Sequence, residues 1–167
     1  FHGHLHDLIN TTYNTTYMTP WLSHYGSVAG ENYTGRASYI RDRSNFVLGQ
    51  LPPQRAFSIT TNGGNAFSVD APAVVLTGDA WIDVRQIRIN GSPDAVTPAW
   101  IDADTWELSV PVDPGANAIT LAAIDYQGNE IASDSINVTS TSTVAPANSS
   151  NLAISEIMYH PAGGSSH

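Results

Sequence analysis

Residues Trp106–Thr139 read WELSVPVDPGANAITLAAIDYQGNEIASDSINVT. Three runs rich in Val, Ile, Leu or Trp are separated by Asp113-Pro114-Gly115 and by Gln127-Gly128-Asn129, residues with turn chemistry. The pattern predicts three consecutive strands at the centre of an antiparallel β-sandwich. Trp106 is expected to plug the core between the sheets. Ile119, Leu121 and Ala123 should face inward on the middle run, and Ile131, Ile136 and Val138 on the last. Asn117 is placed to hydrogen-bond nearby backbone.

Upstream, Phe57–Thr61 alternates and is followed by an Asn62-Gly63-Gly64-Asn65 turn. Phe67–Asp70 and Ala73–Thr77, with Pro72 between them, suggest a first strand that switches sheets. Val84–Asn90 is a strand ending in Asn90-Gly91, a strong hairpin signal. Val96–Ile101 is a further short strand, interrupted by Pro98. About seven short strands at this spacing give an Ig-like or fibronectin-like topology. The series from Ile87 to Asn129, with its Ile-x-Ile-Asn-Gly and Val-Pro-Val-x-Pro-Gly-x-Asn-x-Ile-Thr-Leu elements, resembles bacterial Ig-like modules of secreted and surface proteins. That resemblance implies a spacer, stalk or docking surface. It implies no chemistry.

Residues 1–55 predict three short helices ahead of the sandwich, which spans 56–139. Leu5, Leu8 and Ile9 have helical spacing, and Asn10–Thr16 breaks that helix. Thr19-Pro20 reads as an N-cap followed by a first-turn proline, and a third helix runs from about Gly35 to Gln50. Such a segment has too few large apolar residues to be stable alone, so it packs on the sandwich or belongs to a larger helical domain. The Met-x-x-Trp helix (Met18–Trp21) and the Tyr-Ile-Arg-x-Arg-x-x-x-Val-Leu-x-x-Leu helix (Tyr39–Leu51) resemble the C-terminal end of the spore-coat-protein-H (CotH) kinase-like family. The nucleotide and metal residues of that family lie upstream of this match, so the resemblance implies no kinase activity here.

Residues 140–150 are a linker by composition. Residues 151–167 carry an amphipathic strand, with Leu152, Ile154 and Met158 on one face and Ile157 and Tyr159 on the other. The run Ile154–Pro161 resembles the opening strand of a lamin-tail domain. A lone strand exposes backbone groups that must pair. The eleven-residue linker reaches at most about 36 Å, so the strand can fold back or complete a neighbour's sheet. Repeated head to tail, such donation builds a filament.

Composition narrows the function classes. The net charge is −9, with six Arg and no Lys, and the 56–145 region carries eleven acidic residues against Arg85 and Arg88. Such a face repels phosphate backbones, so nucleic acid is not an expected partner. A P-loop or kinase phosphate site normally needs a lysine that this chain does not have. Cysteine is absent, which removes disulfides and Cys-type zinc sites. No run approaches the roughly 20 apolar residues of a membrane helix. A start at Phe1 without a signal-peptide pattern reads as an internal piece of a longer chain. Abundant Ser, Thr, Asn and Gly fit a secreted or cell-surface setting, and six Asn-x-Ser/Thr triplets mark surface positions if they are used.

Candidate sites are few. His2, His4 and His6 could hold a metal if they shared a strand face; the plainer reading is a helix start with exposed or capping histidines. Asp102-Ala-Asp104 hints at calcium, against solvated loop carboxylates. Trp81 and Trp100, with surface tyrosines, could stack on a polysaccharide, against ordinary core or rim positions. Neither a Ser-His-Asp set nor a cofactor site is legible. The sequence therefore leads to a non-enzymatic structural or adhesive module that self-associates through its tail strand, with a carbohydrate-binding module and a fragment of a CotH kinase-like protein as the alternatives.

Overall fold

The computed structural model describes residues 1–147 and 151–152. Among the described residues nine strands form two sheets. One has the order β1 (Ser58–Ile59), β3 (Ala73–Asp79), β7 (Thr105–Pro111), β6 (Ala99–Trp100). The other has the order β2 (Phe67–Val69), β9 (Glu130–Ser140), β8 (Gly115–Ile124), β4 (Gln86–Ile89), β5 (Ala95–Val96). All pairs are antiparallel except β2 with β9. This is the expected β-sandwich, mainly β with short N-terminal helices.

Alternation fills the interior. On β7 the side chains of Trp106, Leu108 and Val110 are buried while Glu107, Ser109 and Pro111 face out. Ile119, Leu121 and Ala123 of β8 meet them from the other sheet, with Ile136 and Val138 of β9. Trp106 is fully buried. Its ring stacks on Phe57 with centroids 5.5 Å apart, and its indole N–H donates to the Asp79 carbonyl at 3.0 Å. Gly78 lies directly opposite Trp106 in the β3–β7 register. A Cβ there would run into the Trp106 ring and the Ser58 carbonyl, so only glycine lets the indole lie flat on the strand.

The three runs of the central stretch divide between the sheets. Asp113-Pro114-Gly115 is thus a crossing between layers, held by Asn117, whose side chain accepts from Asp113 N–H and donates to the Asp113 and Gly115 carbonyls. Ile131 is a correction. Ile124 pairs with Glu130 and Ala123 with Ala132, so Ile131 is the extra residue of a bulge and is 42% exposed. Its separation of five from Ile136 already puts the two on opposite faces of one strand.

The first strand does change sheets. β1 pairs with β3, Asn62, Gly63 and Gly64 turn through positive φ, and β2 then joins the other sheet. The chain crosses back before β3, around Pro72. Asn90 and Gly91 both have positive φ and close a turn through Ser92 N–H to the Ile89 carbonyl, the type the sequence implied. The single strand expected over Val96–Ile101 is instead two two-residue strands in different sheets. Pro98 lies buried at the crossing between them, where its missing N–H ends the ladder.

The helices are α1 (His2–Thr11), α2 (Thr15–Ala29) and α3 (Arg36–Leu48). The expected cap at Thr19 is corrected: α2 starts five residues earlier, at Thr15, and Asn14 caps it by accepting from Tyr17 N–H at 2.9 Å. Asn is at least as good a cap as Thr, and Pro20 then lies inside the helix. α2 packs against α3. No helix among the described residues is long and apolar enough to cross a membrane.

Candidate binding surfaces

One end of the sandwich is built by the 80–85 loop and the β8–β9 turn, and α1 lies across it. Gly3 sits against the Tyr126 hydroxyl and the Ile82 carbonyl. The His4 ring meets Tyr126 edge-on at 5.0 Å, and the His6 ring meets Trp81 edge-on at 4.7 Å. The Trp81 indole N–H donates to the Pro52 carbonyl at 2.9 Å, and the Gln127 amide donates to Asp7. Arg85 lies over the Tyr126 ring, 5.8 Å from its centroid. Arg55, past the last helix, pairs with Asp104 at 2.8 Å. Residues 1–11 and 52–55 are thereby tied to the sandwich at several separate points.

This placement sets the surroundings of the residues singled out in the sequence. Because residues 2–11 are helical, His2, His4 and His6 do not share a strand face, and each of the three rings meets an aromatic side chain, of Phe1, Tyr126 and Trp81 in turn. Among the described residues no group of three or more His, Cys, Asp or Glu side chains is arranged to hold a metal. Trp81 is half-buried under α1 with its N–H already bonded. Trp100 sits at the rim of a cavity of about 180 Å³ beside Phe1, His2 and Tyr126, smaller than the roughly 300 Å³ at which small-molecule pockets begin. Asp102 accepts from the backbone N–H groups of Asp104 and Thr105 at 3.0 and 2.8 Å, which lowers its pKa and commits it to its own loop.

Two carboxyls at this end are perturbed in opposite senses. Burial is the largest influence on both. In Asp125 it is outweighed by hydrogen bonds from the Asn129 side chain and the Asn129 and Gln127 backbone, so the pKa falls below the ordinary value. In Asp83 burial wins over backbone hydrogen bonds and the attraction of His6, and the pKa is raised. A carboxyl with a raised folded pKa contributes stability below its ordinary pKa and loses it as pH rises through the folded value. Asp83→Asn should therefore raise the thermal midpoint at pH 7, on the order of 1–3 °C. The gain should vanish below about pH 4, where the wild-type carboxyl is itself neutral. An equal gain at both pH values would remove the electrostatic explanation.

A second surface escaped the sequence reading. α2 has one buried residue, Gly26, and no Asp, Glu, Lys or Arg in 15 residues. Tyr17, Trp21 and Tyr25 follow one another at four-residue spacing, with ring centroids 6.5 and 6.1 Å apart. With Met18, Leu22 and Tyr33 they line an open apolar groove. The run of uncharged residues around regularly spaced aromatics was the available signal. Of the tail residues proposed for assembly, Leu152 is exposed; Ile154, Ile157, Met158 and Tyr159 lie outside the described residues.

No family model matches the chain. No curated protein matches it. Among solved structures, the fibronectin(III)-like modules of Clostridium thermocellum CbhA are similar over 52% of this chain and 98% of theirs, at 13% identity and a TM-score of 0.39. An endo-beta-1,4-mannanase from Thermotoga petrophila is similar over 62% of this chain and 24% of its own, at 10% identity and a TM-score of 0.38. SGBP-B of the Bacteroides ovatus mixed-linkage glucan utilization locus, solved with a mixed-linkage heptasaccharide, is similar over 48% of this chain and 22% of its own. Its identity is 16% and its TM-score 0.33. Likeness at this level carries no inference about ligand or activity.

Proposed function

We propose that the chain is a non-catalytic structural module of a secreted or cell-surface bacterial protein. In this reading residues 56–139 are an Ig-like spacer, and residues 1–55 are the end of an upstream CotH-like helical domain. The observation that carries it is the joint at α1. A spacer on a flexible tether needs no such contact, whereas a spacer that fixes the direction of the domain before it needs several contacts on one rigid helix. Gly3, His4, His6 and Asp7 provide them from a single helix of ten residues. Acidic surface loops suit an extracellular spacer through solubility.

A second element of the reading is assembly through the segment from Asn151 to His167, the start of a lamin-tail-like strand. The acceptor it favours is the edge of β3. β1 covers β3 only at Gly78 and Asp79, and Thr60 and Thr61 bond to Thr77. Ala73–Val75 has no neighbouring strand on that side among the described residues, and the Val75 side chain is exposed. Donation from one chain to the next is heterologous and open-ended. Sedimentation of the full chain should therefore show species growing well beyond a dimer with concentration, and a chain ending at Pro146 should show none of them. Identical size distributions for the two chains would end the strand-donation reading.

A further inference from the structure

We propose that the outer face of the five-stranded sheet holds a neutral saccharide in the cavity around Arg88. The site is separate from the α1 joint and from the β3 edge offered to the tail strand.

The face follows from register. Ile87 and Ile89 of β4, Leu121 and Ala123 of β8, and Ile136 and Val138 of β9 belong to the core or pack on it, so Arg88, Thr120, Ala122 and Ser133 point the other way. Ala95, Arg88, Ala122 and Ser133 stand side by side on β5, β4, β8 and β9. Arg88 is the one large side chain of that row, and the alanines on either side leave a trough around it. With Thr120, Glu130 and the Gly91–Pro93 turn it lines a cavity of about 430 Å³, inside the roughly 300–1,000 Å³ range of small-molecule sites.

An arginine on a sheet surface ordinarily lays its stem on apolar neighbours and keeps its head in water. Arg88 departs from this. Among the described residues its Nε is the one buried side-chain nitrogen or oxygen without a hydrogen-bond partner. Both ion pairs among the described residues join other side chains, although the chain has fifteen Asp and Glu to six Arg. A buried, charged donor without a partner is costly to keep, and a ligand supplies the missing acceptor.

The surroundings decide the ligand class. A guanidinium by itself suits a carboxylate or a phosphate. Here Glu130 shares the cavity, and residues 56–145 carry eleven acidic side chains against Arg85 and Arg88. A further anion would enter a field that is already negative. Arg88 offers only donors, Glu130 only acceptors, and the Thr120 and Ser133 hydroxyls both. Matching them takes uncharged groups that donate and accept side by side. Adjacent ring hydroxyls of a saccharide do so, one accepting from Arg88 while its neighbour donates to Glu130. The Ala122 methyl, between Arg88 and Ser133 in the row, meets the C–H edge of the ring. The carbohydrate alternative, attached in the sequence to Trp81 and Trp100, thereby moves to a sheet whose strands contain no tryptophan.

Nitrogen-edited NMR of the full chain reads the site directly, because the buried Arg88 Nε–H gives a resonance of its own. Cellobiose, mannobiose and maltose, each added to the order of tens of millimolar, differ in linkage and in the orientation of a ring hydroxyl. At least one of them should move that resonance and the amides of Thr120, Ala122 and Ser133 along a single saturating curve. Arg88→Lys keeps the charge without the Nε–H and should weaken the response of those amides roughly tenfold. Glu130→Gln keeps an acceptor without the charge and should weaken it about threefold or more. A sugar titration unchanged by both substitutions would make Arg88 a structural side chain and overturn the proposal. Silence toward all three sugars overturns it too. So does a saturable response to sodium acetate with none to the sugars, which would make this a carboxylate site, and so do sugar shifts confined to Trp81 and Trp100. Strand donation is read by sedimentation and stands or falls without this result.

Discussion

Trp106→Ala should cost the sandwich about 3–5 kcal/mol, a large share of the roughly 5–15 kcal/mol that holds a domain folded. The size follows from what the indole does at once. It fills the gap between the sheets with no exposed surface, stacks on Phe57, and satisfies the Asp79 carbonyl through its N–H. Alanine leaves a cavity bounded by two sheets that cannot collapse onto it, and it leaves that carbonyl without its donor. Trp106→Phe separates the parts. It keeps much of the ring volume but not the N–H, and should cost about 1–2 kcal/mol less than alanine. Gly78→Ala approaches the same site from the other strand and should be comparably damaging, because the added methyl meets the Ser58 carbonyl as well as the indole. Urea unfolding followed by far-ultraviolet circular dichroism reads all three. A loss below 1 kcal/mol for Trp106→Ala would show that the core is organised around another residue.

The part of the molecule that could be read from its sequence is the part with local causes. Alternation over Trp106–Val110 and Ile119–Ala123 depends only on a strand's two-residue period, and both runs point where that period puts them. Asn90-Gly91 and Asn117 act within a few residues and fell into place for the same reason. Sheet membership has no local cause. Nothing between Pro111 and Gly115 tells whether β8 returns beside β7 or crosses to the other layer; that depends on which strands are free to pair. The bulge at Ile131 was in principle legible, because odd spacing from Ile136 is incompatible with a shared face. The cap of α2 was misplaced because Asn14 stands in the Asn10–Thr16 run that reads as a helix break, and the same residue that interrupts one helix caps the next. The joint could not have been read at all: His6 meets Trp81 and Asp7 meets Gln127, partners far apart in the sequence. Each of those side chains looked unremarkable where it stood.

Gly3→Ala tests that joint, and the direction of its effect separates two explanations. Considered alone, α1 should gain from the change, because alanine is better than glycine inside a helix by about 1 kcal/mol. Considered on the sandwich, it should lose. The new methyl would meet the Tyr126 hydroxyl, which can turn aside, and the Ile82 carbonyl, which belongs to the backbone and cannot. To make room the helix must lift, and because His4, His6 and Asp7 ride on it, their contacts with Tyr126, Trp81 and Gln127 fail together. Ten residues cut off from tertiary contact do not hold a helix in water. Hydrogen exchange should therefore speed by an order of magnitude or more for the amides of residues 5–11. The amides of β7–β9, whose ladder does not involve α1, should keep their wild-type rates. Slower exchange in α1 would mean that helix propensity governs the segment and that Gly3 is not a contact point. Faster exchange everywhere would mean that the joint is part of one cooperative core. Only local acceleration fits a spacer whose grip on the preceding helices is a separate, breakable contact.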